Sequence, residues 1–216
     1  MLTNRRRLGA AGARHLFRVF GTVGAMAMSY SEPAWGGREE CSALNLDVSE
    51  IVEPPTTYRE FCRANPDDCR LTGSVVSEVS ETVVSILERV NREVNAEIRF
   101  VPDFEVHGEE EYWCYPTEGQ GDCEDIALEK RRRLIAAGLP SASMTMAIVH
   151  HKTKYYSHAV LVLETSQGTW VMDSLADDIP CWSMIPYYYE IRERPDGRWD
   201  RYDQSHWWKP EQPAAE

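Results

Sequence analysis

The stretch GDCEDIALEKRRRLIAAGLP occupies residues 121–140, and the interpretation of the whole chain starts from it. Its apolar residues recur at helical spacing and a glycine and a proline end the run, so it predicts a helix that begins at Cys123. Asp122 can cap this helix, and Asp125 lies in its first turn. A cysteine at a helix N-terminus is a candidate nucleophile, because free backbone N–H groups and the helix dipole favour its thiolate.

The charge around this cysteine needs an explanation. Asp122, Glu124 and Asp125 surround Cys123, and like charge disfavours formation of a thiolate. One interpretation is that the carboxylates bind a hard cation such as calcium, which prefers oxygen ligands. The other is that they only cap the helix and complement its dipole. The residue pattern alone leaves both open.

Two helices are expected upstream. A short one is predicted at YREFC, residues 58–62, and residues 31–56 read as irregular. A long amphipathic helix is predicted within residues 74–98, because apolar side chains recur there at spacings of three and four. These side chains are Val76, Val79, Val83, Ile86, Leu87, Val90 and Val94.

Downstream of residue 140 the hydrophobic period changes to two, which indicates strands. Four are predicted, within residues 143–151, 158–164, 168–174 and 187–193. Helices first and an antiparallel sheet afterwards indicate an α+β fold.

The second and third strands form a hairpin that brings two polar residues together. A tight turn at Ser166 and Gln167 would set Val160 opposite Asp173, and His158 would then be a diagonal neighbour of Asp173. The imidazole and the carboxylate could meet on this face of the sheet.

Cys123, His158 and Asp173 together make a candidate catalytic set. The cysteine would act as nucleophile, the histidine would take its proton, and the aspartate would hold the other ring nitrogen and set the tautomer.

Composition limits the class of protein. A chain of 216 residues with 43% hydrophobic residues suits one globular domain, placed here at residues 31–216. The net charge of −12 argues against nucleic-acid binding, which relies on basic patches.

The first 30 residues predict a signal peptide. Five arginines precede an apolar run at residues 19–28, which is too short for a membrane span. The alternative is a disordered or amphipathic tail.

The six cysteines agree with export. Cys62 and Cys69 are close enough in sequence to close a small disulfide loop. The spacing of Cys41, Cys114 and Cys181 leaves their pairing open. No paired CxxC unit is present, so the sequence contains no structural zinc motif.

Three segments resemble the bacterial transglutaminase-like cysteine peptidases: YWCYPTEGQGDCEDIALEKRRRLIAAGLP (residues 112–140), SHAVLVLET (157–165) and WVMDSL (170–175). The similarity extends over about residues 90–199. It implies a papain-like, transglutaminase-like fold in which a helix carrying Cys123 packs on a sheet carrying His158 and Asp173. Cys114 departs from the family pattern and could pair with Cys181 or stay free.

The resemblance also implies a calcium site at Asp122, Glu124 and Asp125, a periplasmic location and a protein substrate. A cell-surface or periplasmic protein is the candidate substrate. The expected activity is cleavage of a peptide bond through a thioester. The alternatives are an acyl transferase or amidase with the same triad, and a non-catalytic calcium-dependent binding module.

Overall fold

The computed structural model describes residues 40–207. The predicted signal peptide lies outside the described residues. The helices of the described part are α1 (Thr56–Ala64), α2 (Glu81–Glu97), α3 (Asp103–Val106) and α4 (Cys123–Ala136), and a 3-10 turn follows at Ser141–Ser143. Its strands are β1 (Val48–Val52), β2 (Arg99–Phe100), β3 (Gln120–Gly121), β4 (Met144–His151), β5 (Ser157–Thr165), β6 (Gly168–Met172), β7 (Tyr187–Glu193) and β8 (Trp199–Tyr202).

Six strands form one antiparallel sheet in the order β1-β8-β7-β4-β5-β6. The short strands β2 and β3 pair in parallel beside the start of α4. This arrangement confirms the predicted α+β class, including the helix that begins at Cys123 and the four predicted strands.

The helices cover one face of the sheet. α4 packs against β5 and against α2, and the apolar stripe of α2 at Leu87, Val90 and Val94 is buried in this core. Loops cover the opposite face, where Leu44, Leu46 and Trp182 pack on a second apolar cluster. Each central strand is therefore buried on both faces, which explains why β5 is apolar almost throughout.

The long helix starts later than predicted. Its first residue is Glu81, and the Ser80 hydroxyl caps it by accepting a hydrogen bond from the Val83 N–H. The preceding segment is extended, and the Ser77 N–H donates to the Glu164 carbonyl at the end of β5. Pairing with the end of β5 and the Ser80 N-cap override the apolar periodicity that extends back to Val76, whose side chain is 40% exposed.

Two strands of the six-stranded sheet, β1 and β8, were not predicted, nor were the short strands β2 and β3. Residues 48–52 fall in the segment read as irregular, but they form β1 and pair with β8. Four of the five residues of β1 are exposed to solvent. Its sequence, VSEIV, therefore does not need the alternation of apolar and polar residues that marks a half-buried strand, and it does not show that alternation.

Two disulfides are present. Cys62–Cys69 closes the small loop predicted from its spacing, and Cys41–Cys181 ties the segment before β1 to the loop after β6. Cys114 and Cys123 are free thiols, so the alternative pairing of Cys114 with Cys181 is wrong. Within residues 40–207, none of the helices is both long and apolar enough to cross a membrane.

Candidate active site

The start of α4 carries the candidate nucleophile, and Asp122 is its N-cap residue as predicted. The Asp122 side chain makes no capping hydrogen bond, which leaves its carboxylate free to face the neighbouring acidic residues. Asp125 lies in the first turn as predicted, and it packs so closely on Gly121 that an added Cβ there would lie 2.8 Å from the Asp125 Cβ. A side chain at residue 121 would therefore displace the Asp125 carboxylate.

The Cys123 thiol is half-buried between α4 and β5. Its sulfur accepts a hydrogen bond from the backbone N–H of Ala159 at 3.3 Å and donates to Glu124 Oε2 at 3.3 Å. Burial, followed by the negative charge of Glu124, raises the pKa of the thiol well above its usual value. The Ala159 N–H opposes this effect and ties the sulfur to the residue that follows His158.

His158 and Asp173 meet inside the β5–β6 hairpin. The hairpin has the predicted register, with Thr165 opposite Gly168, and His158 Nε2 lies 2.7 Å from Asp173 Oδ1. Both side chains are buried. Because Nε2 is engaged by the carboxylate, Nδ1 is the ring nitrogen left to serve the thiol.

Asp173 is held as a carboxylate by several donors. Burial alone would raise its pKa, but hydrogen bonds from His158, from the Leu175 N–H at 2.9 Å and from the Tyr187 hydroxyl at 2.7 Å keep the pKa of Asp173 below its usual value. The ionised carboxylate can therefore orient the imidazole and stabilise it when it is charged.

Sequence reasoning missed the residues that support Asp173. Tyr187 opens β7 and reaches the carboxylate across the sheet. The Lys130 ammonium on α4 donates to the Asp173 carbonyl at 2.9 Å, and the Asn95 amide on α2 donates to the same carbonyl at 3.2 Å. Lys130 and Asn95 are 43 and 78 residues from Asp173 in sequence, and Tyr187 is on β7, which does not pair with β6. No hairpin register therefore links any of the three to Asp173.

An acidic cluster lies beside the nucleophile. Carboxylate oxygens of Asp103, Asp122 and Asp125 lie within 4.8 Å of one another, and Glu124 forms an overlapping group with Asp122 and Cys123. Asp122 and Asp125, which the sequence singled out, are thus brought together with Asp103, which it did not. Asp103 begins α3, about twenty residues upstream, and nothing in its local sequence points to the cluster.

The chemistry of this cluster fits a hard cation. Asp122 Oδ1 and Glu124 Oε1 are buried with no hydrogen-bond partner among the described residues. Burial and neighbouring carboxylates raise the pKa of Glu124 to about 10, and burial raises that of Asp125 to about 7. Calcium holds oxygens at about 2.3–2.6 Å, so ligands on opposite sides of the ion are about 5 Å apart. The oxygens of Asp103, Asp122 and Asp125 all lie within 4.8 Å of one another, close enough to share one such ion.

Comparisons with known proteins place the chain in a family. A family model described as bacterial transglutaminase-like cysteine proteinase matches residues 48–209. A search of the curated proteins gave no significant match.

Three similar solved structures are of LapG from Legionella pneumophila. The calcium-bound form is 23% identical, with a TM-score of 0.49, and the match covers 72% of this chain and 87% of that one. The EGTA-treated form is 24% identical, with a TM-score of 0.49 and coverages of 73% and 84%. A third LapG structure is 25% identical, with a TM-score of 0.48 and coverages of 68% and 80%.

Proposed function

The chain belongs to the bacterial transglutaminase-like cysteine proteinases, and on that premise we propose that it is an exported, calcium-dependent peptidase whose catalytic residues are Cys123, His158 and Asp173. Membership of the family makes it a cysteine peptidase of the transglutaminase-like superfamily. The observation that carries the proposed triad is the buried 2.7 Å contact between His158 and Asp173, next to a sulfur bound by the Ala159 N–H.

The proposed reaction begins with transfer of the Cys123 proton to His158 Nδ1. The sulfur then attacks the carbonyl carbon of the peptide bond, and the backbone N–H of Cys123 at the start of α4 can donate to the resulting oxyanion. Collapse breaks the C–N bond, and the imidazolium gives its proton to the leaving amine. Water, deprotonated by the same imidazole, hydrolyses the thioester and restores the thiol.

The acidic cluster explains why a cation would matter to this reaction. Glu124 accepts a hydrogen bond from the thiol and disfavours the thiolate in its ionised form. Asp103, Asp122, Glu124 and Asp125 would hold calcium, and the bound ion would supply positive charge that offsets this negative field. Asp125 also accepts from the Cys114 N–H at 2.8 Å, so the cluster fixes the loop that leads into Cys123.

Export to the periplasm is supported by two observations. Five arginines precede the apolar run within the first 30 residues, and the two disulfides suit an oxidising compartment. The proposed substrate is a periplasmic or cell-surface protein.

Substitution of the triad tests the mechanism. Cys123→Ala should lower cleavage of a peptide library by at least about a thousandfold while the protein stays folded. His158→Ala should be nearly as damaging, and Asp173→Asn milder, because an amide can still orient the ring. An alkylating probe should label Cys123 in the wild type and in Cys114→Ser. Turnover retained in Cys123→Ala would refute the triad, and ligation of an added amine to the products would identify a transferase.

Chelation tests the dependence on calcium. Removing calcium should lower both activity and Tm, and calcium should restore them better than magnesium. Asp103→Asn should raise the calcium concentration needed. Asp67→Asn, in the exposed loop between Cys62 and Cys69, is the matched control. If chelation changes neither quantity, the acidic residues only complement the helix dipole.

A further inference from the structure

A second group of ligand atoms lies on the other side of Asp125. Cys114 Sγ is 3.5 Å from His107 Nε2 and 3.6 Å from Asp125 Oδ2. The three ligand atoms all lie within 4.8 Å of one another. His107 follows α3, Cys114 lies between α3 and β3, and Asp125 is in the first turn of α4, so the tertiary structure brings together three different segments.

These separations match the edges of a zinc tetrahedron. Bonds of about 2.3 Å to sulfur and about 2.0–2.2 Å to nitrogen or oxygen, at an angle of about 109°, put the sulfur about 3.6 Å from each of the other two atoms. The mixture of thiolate, imidazole and carboxylate ligands suits zinc, whereas the neighbouring oxygen cluster suits calcium. We propose that His107, Cys114 and Asp125 form a zinc site, with water as the fourth ligand.

The surroundings of the three residues support this site. The Cys114 N–H donates to Asp125 Oδ1 at 2.8 Å, which fixes the carboxylate, and the His107 ring packs on Tyr112 with centroids 4.5 Å apart. Partners of this kind orient metal ligands in zinc proteins. Cys114 also lines a cavity of about 190 Å³ whose walls include Glu60 and Glu111. The two carboxylates of this cavity attract cations toward Cys114.

Asp125 belongs to both groups of ligands, and this shared residue couples them. Zinc held at Cys114 would draw the Asp125 carboxylate away from the oxygen cluster beside Cys123. By linkage, each ion then weakens binding of the other by the same factor. Zinc should therefore antagonise calcium, and this consequence, unlike zinc binding itself, rests on the calcium dependence proposed above.

Cobalt titration of the full chain tests the site directly, because cobalt(II) reports thiolate ligation by a charge-transfer absorption. The protein should carry Cys123→Ala, since Cys123 itself lies near Asp122 and Glu124. One equivalent of cobalt should bind with that absorption and be displaced by zinc. Adding Cys114→Ser should abolish the absorption. Adding His107→Ala should weaken cobalt binding by at least roughly tenfold, because loss of a residue that only orients a metal ligand already weakens metal binding by about that factor. His150→Ala, which removes a histidine paired with Glu190, is the matched control.

Cobalt binding without the charge-transfer band, or binding unchanged in both Cys114→Ser and His107→Ala, would overturn the proposal and leave Cys114 as a thiol that only makes hydrogen-bonding contacts with His107 and Asp125. The coupling has its own measurement, which is the calcium concentration at half-maximal Tm shift. We expect zinc to raise this concentration at least about fivefold, and an unchanged value would refute the antagonism. None of these measurements depends on peptidase activity, so failure of the zinc site and failure of the proposed function are distinguishable.

Discussion

The Tyr187 hydroxyl lies 2.7 Å from Asp173 Oδ2, while the other oxygen of the same carboxylate faces His158. The tyrosine thus holds the carboxylate oxygen that the imidazole does not contact. Its ring also lies near His158, with centroids 5.6 Å apart. The two contacts make Tyr187 a positioning residue for the histidine–aspartate pair.

Tyr187→Phe should lower the free energy of unfolding by about 1.5–3 kcal/mol at pH 7, because a hydrogen bond to a charged group is lost. The native pKa of Asp173 is lowered, so its contribution is present above the unfolded pKa of about 3.9 and disappears as the pH falls through the native value. The difference between wild type and variant should therefore shrink below about pH 4. Urea denaturation at pH 7 and at pH 3 measures both effects.

Tyr189→Phe is the matched control on the same strand. Tyr189 is buried, and its hydroxyl has no hydrogen-bond partner among the described residues. Removing the Tyr189 hydroxyl should therefore change the free energy of unfolding very little. An equal loss in the two variants would show that the contact with Asp173 is not the cause.

The lowered pKa of Lys130 leads us to expect that stability rises with pH. Burial lowers the pKa of this amine to about 7, against the opposing charges of Asp173 and Asp177. Between about pH 7 and the ordinary lysine pKa of about 10.4 the unfolded chain binds more protons, so stability rises with pH. Relative to Lys130→Met, the wild type should gain up to about 1.4 kcal/mol per pH unit in this window. Denaturation curves at several pH values test this, and a difference independent of pH would contradict it.

Arg131 forms a buried ion pair whose loss should lower the stability of the fold strongly. It contacts Glu193 at 2.6 Å and the Tyr58 hydroxyl at 3.1 Å, and Glu193 also accepts the Met146 N–H. Arg131→Met should lower the free energy of unfolding by about 3–5 kcal/mol, because it leaves a buried carboxylate without its partner. Urea denaturation measures the loss.

The neighbouring Arg132 provides the control. Its side chain is 55% exposed and pairs with Glu129, so Arg132→Met should cost no more than about 1 kcal/mol. The double variant Arg131→Met/Glu193→Gln should recover most of the stability lost in Arg131→Met, because the amide oxygen still accepts from the Met146 N–H and no buried charge is left. A double variant less stable than the single one would show that the carboxylate was not the source of the loss.

The two disulfides should contribute unequally. Cys41–Cys181 spans 140 residues and Cys62–Cys69 spans 7. Loop closure predicts about 5 kcal/mol for the long loop and about 2.5 kcal/mol for the short one. Replacing both cysteines of each pair by alanine and comparing unfolding tests the order. A larger loss from the short loop would contradict the loop-closure argument.

Local sequence was sufficient for the parts of the site that lie within one helix or one hairpin. The helix at Cys123 follows from the apolar periodicity within residues 121–140 and from the glycine and proline that end it. The approach of His158 to Asp173 follows from a two-residue turn that sets the register. In both cases the contacting residues are separated by a short, regular piece of backbone whose geometry is known in advance.

Tertiary structure alone decided the contacts that join separate segments. Asp103 reaches the acidic cluster, Tyr187 reaches Asp173, and Cys41 pairs with Cys181 only because loops and strands dock on a common core. Strand β1 likewise forms through its pairing with β8, and four of its five residues are exposed. Such contacts depend on how many elements pack together, and they cannot be predicted from the spacing of residues along the chain.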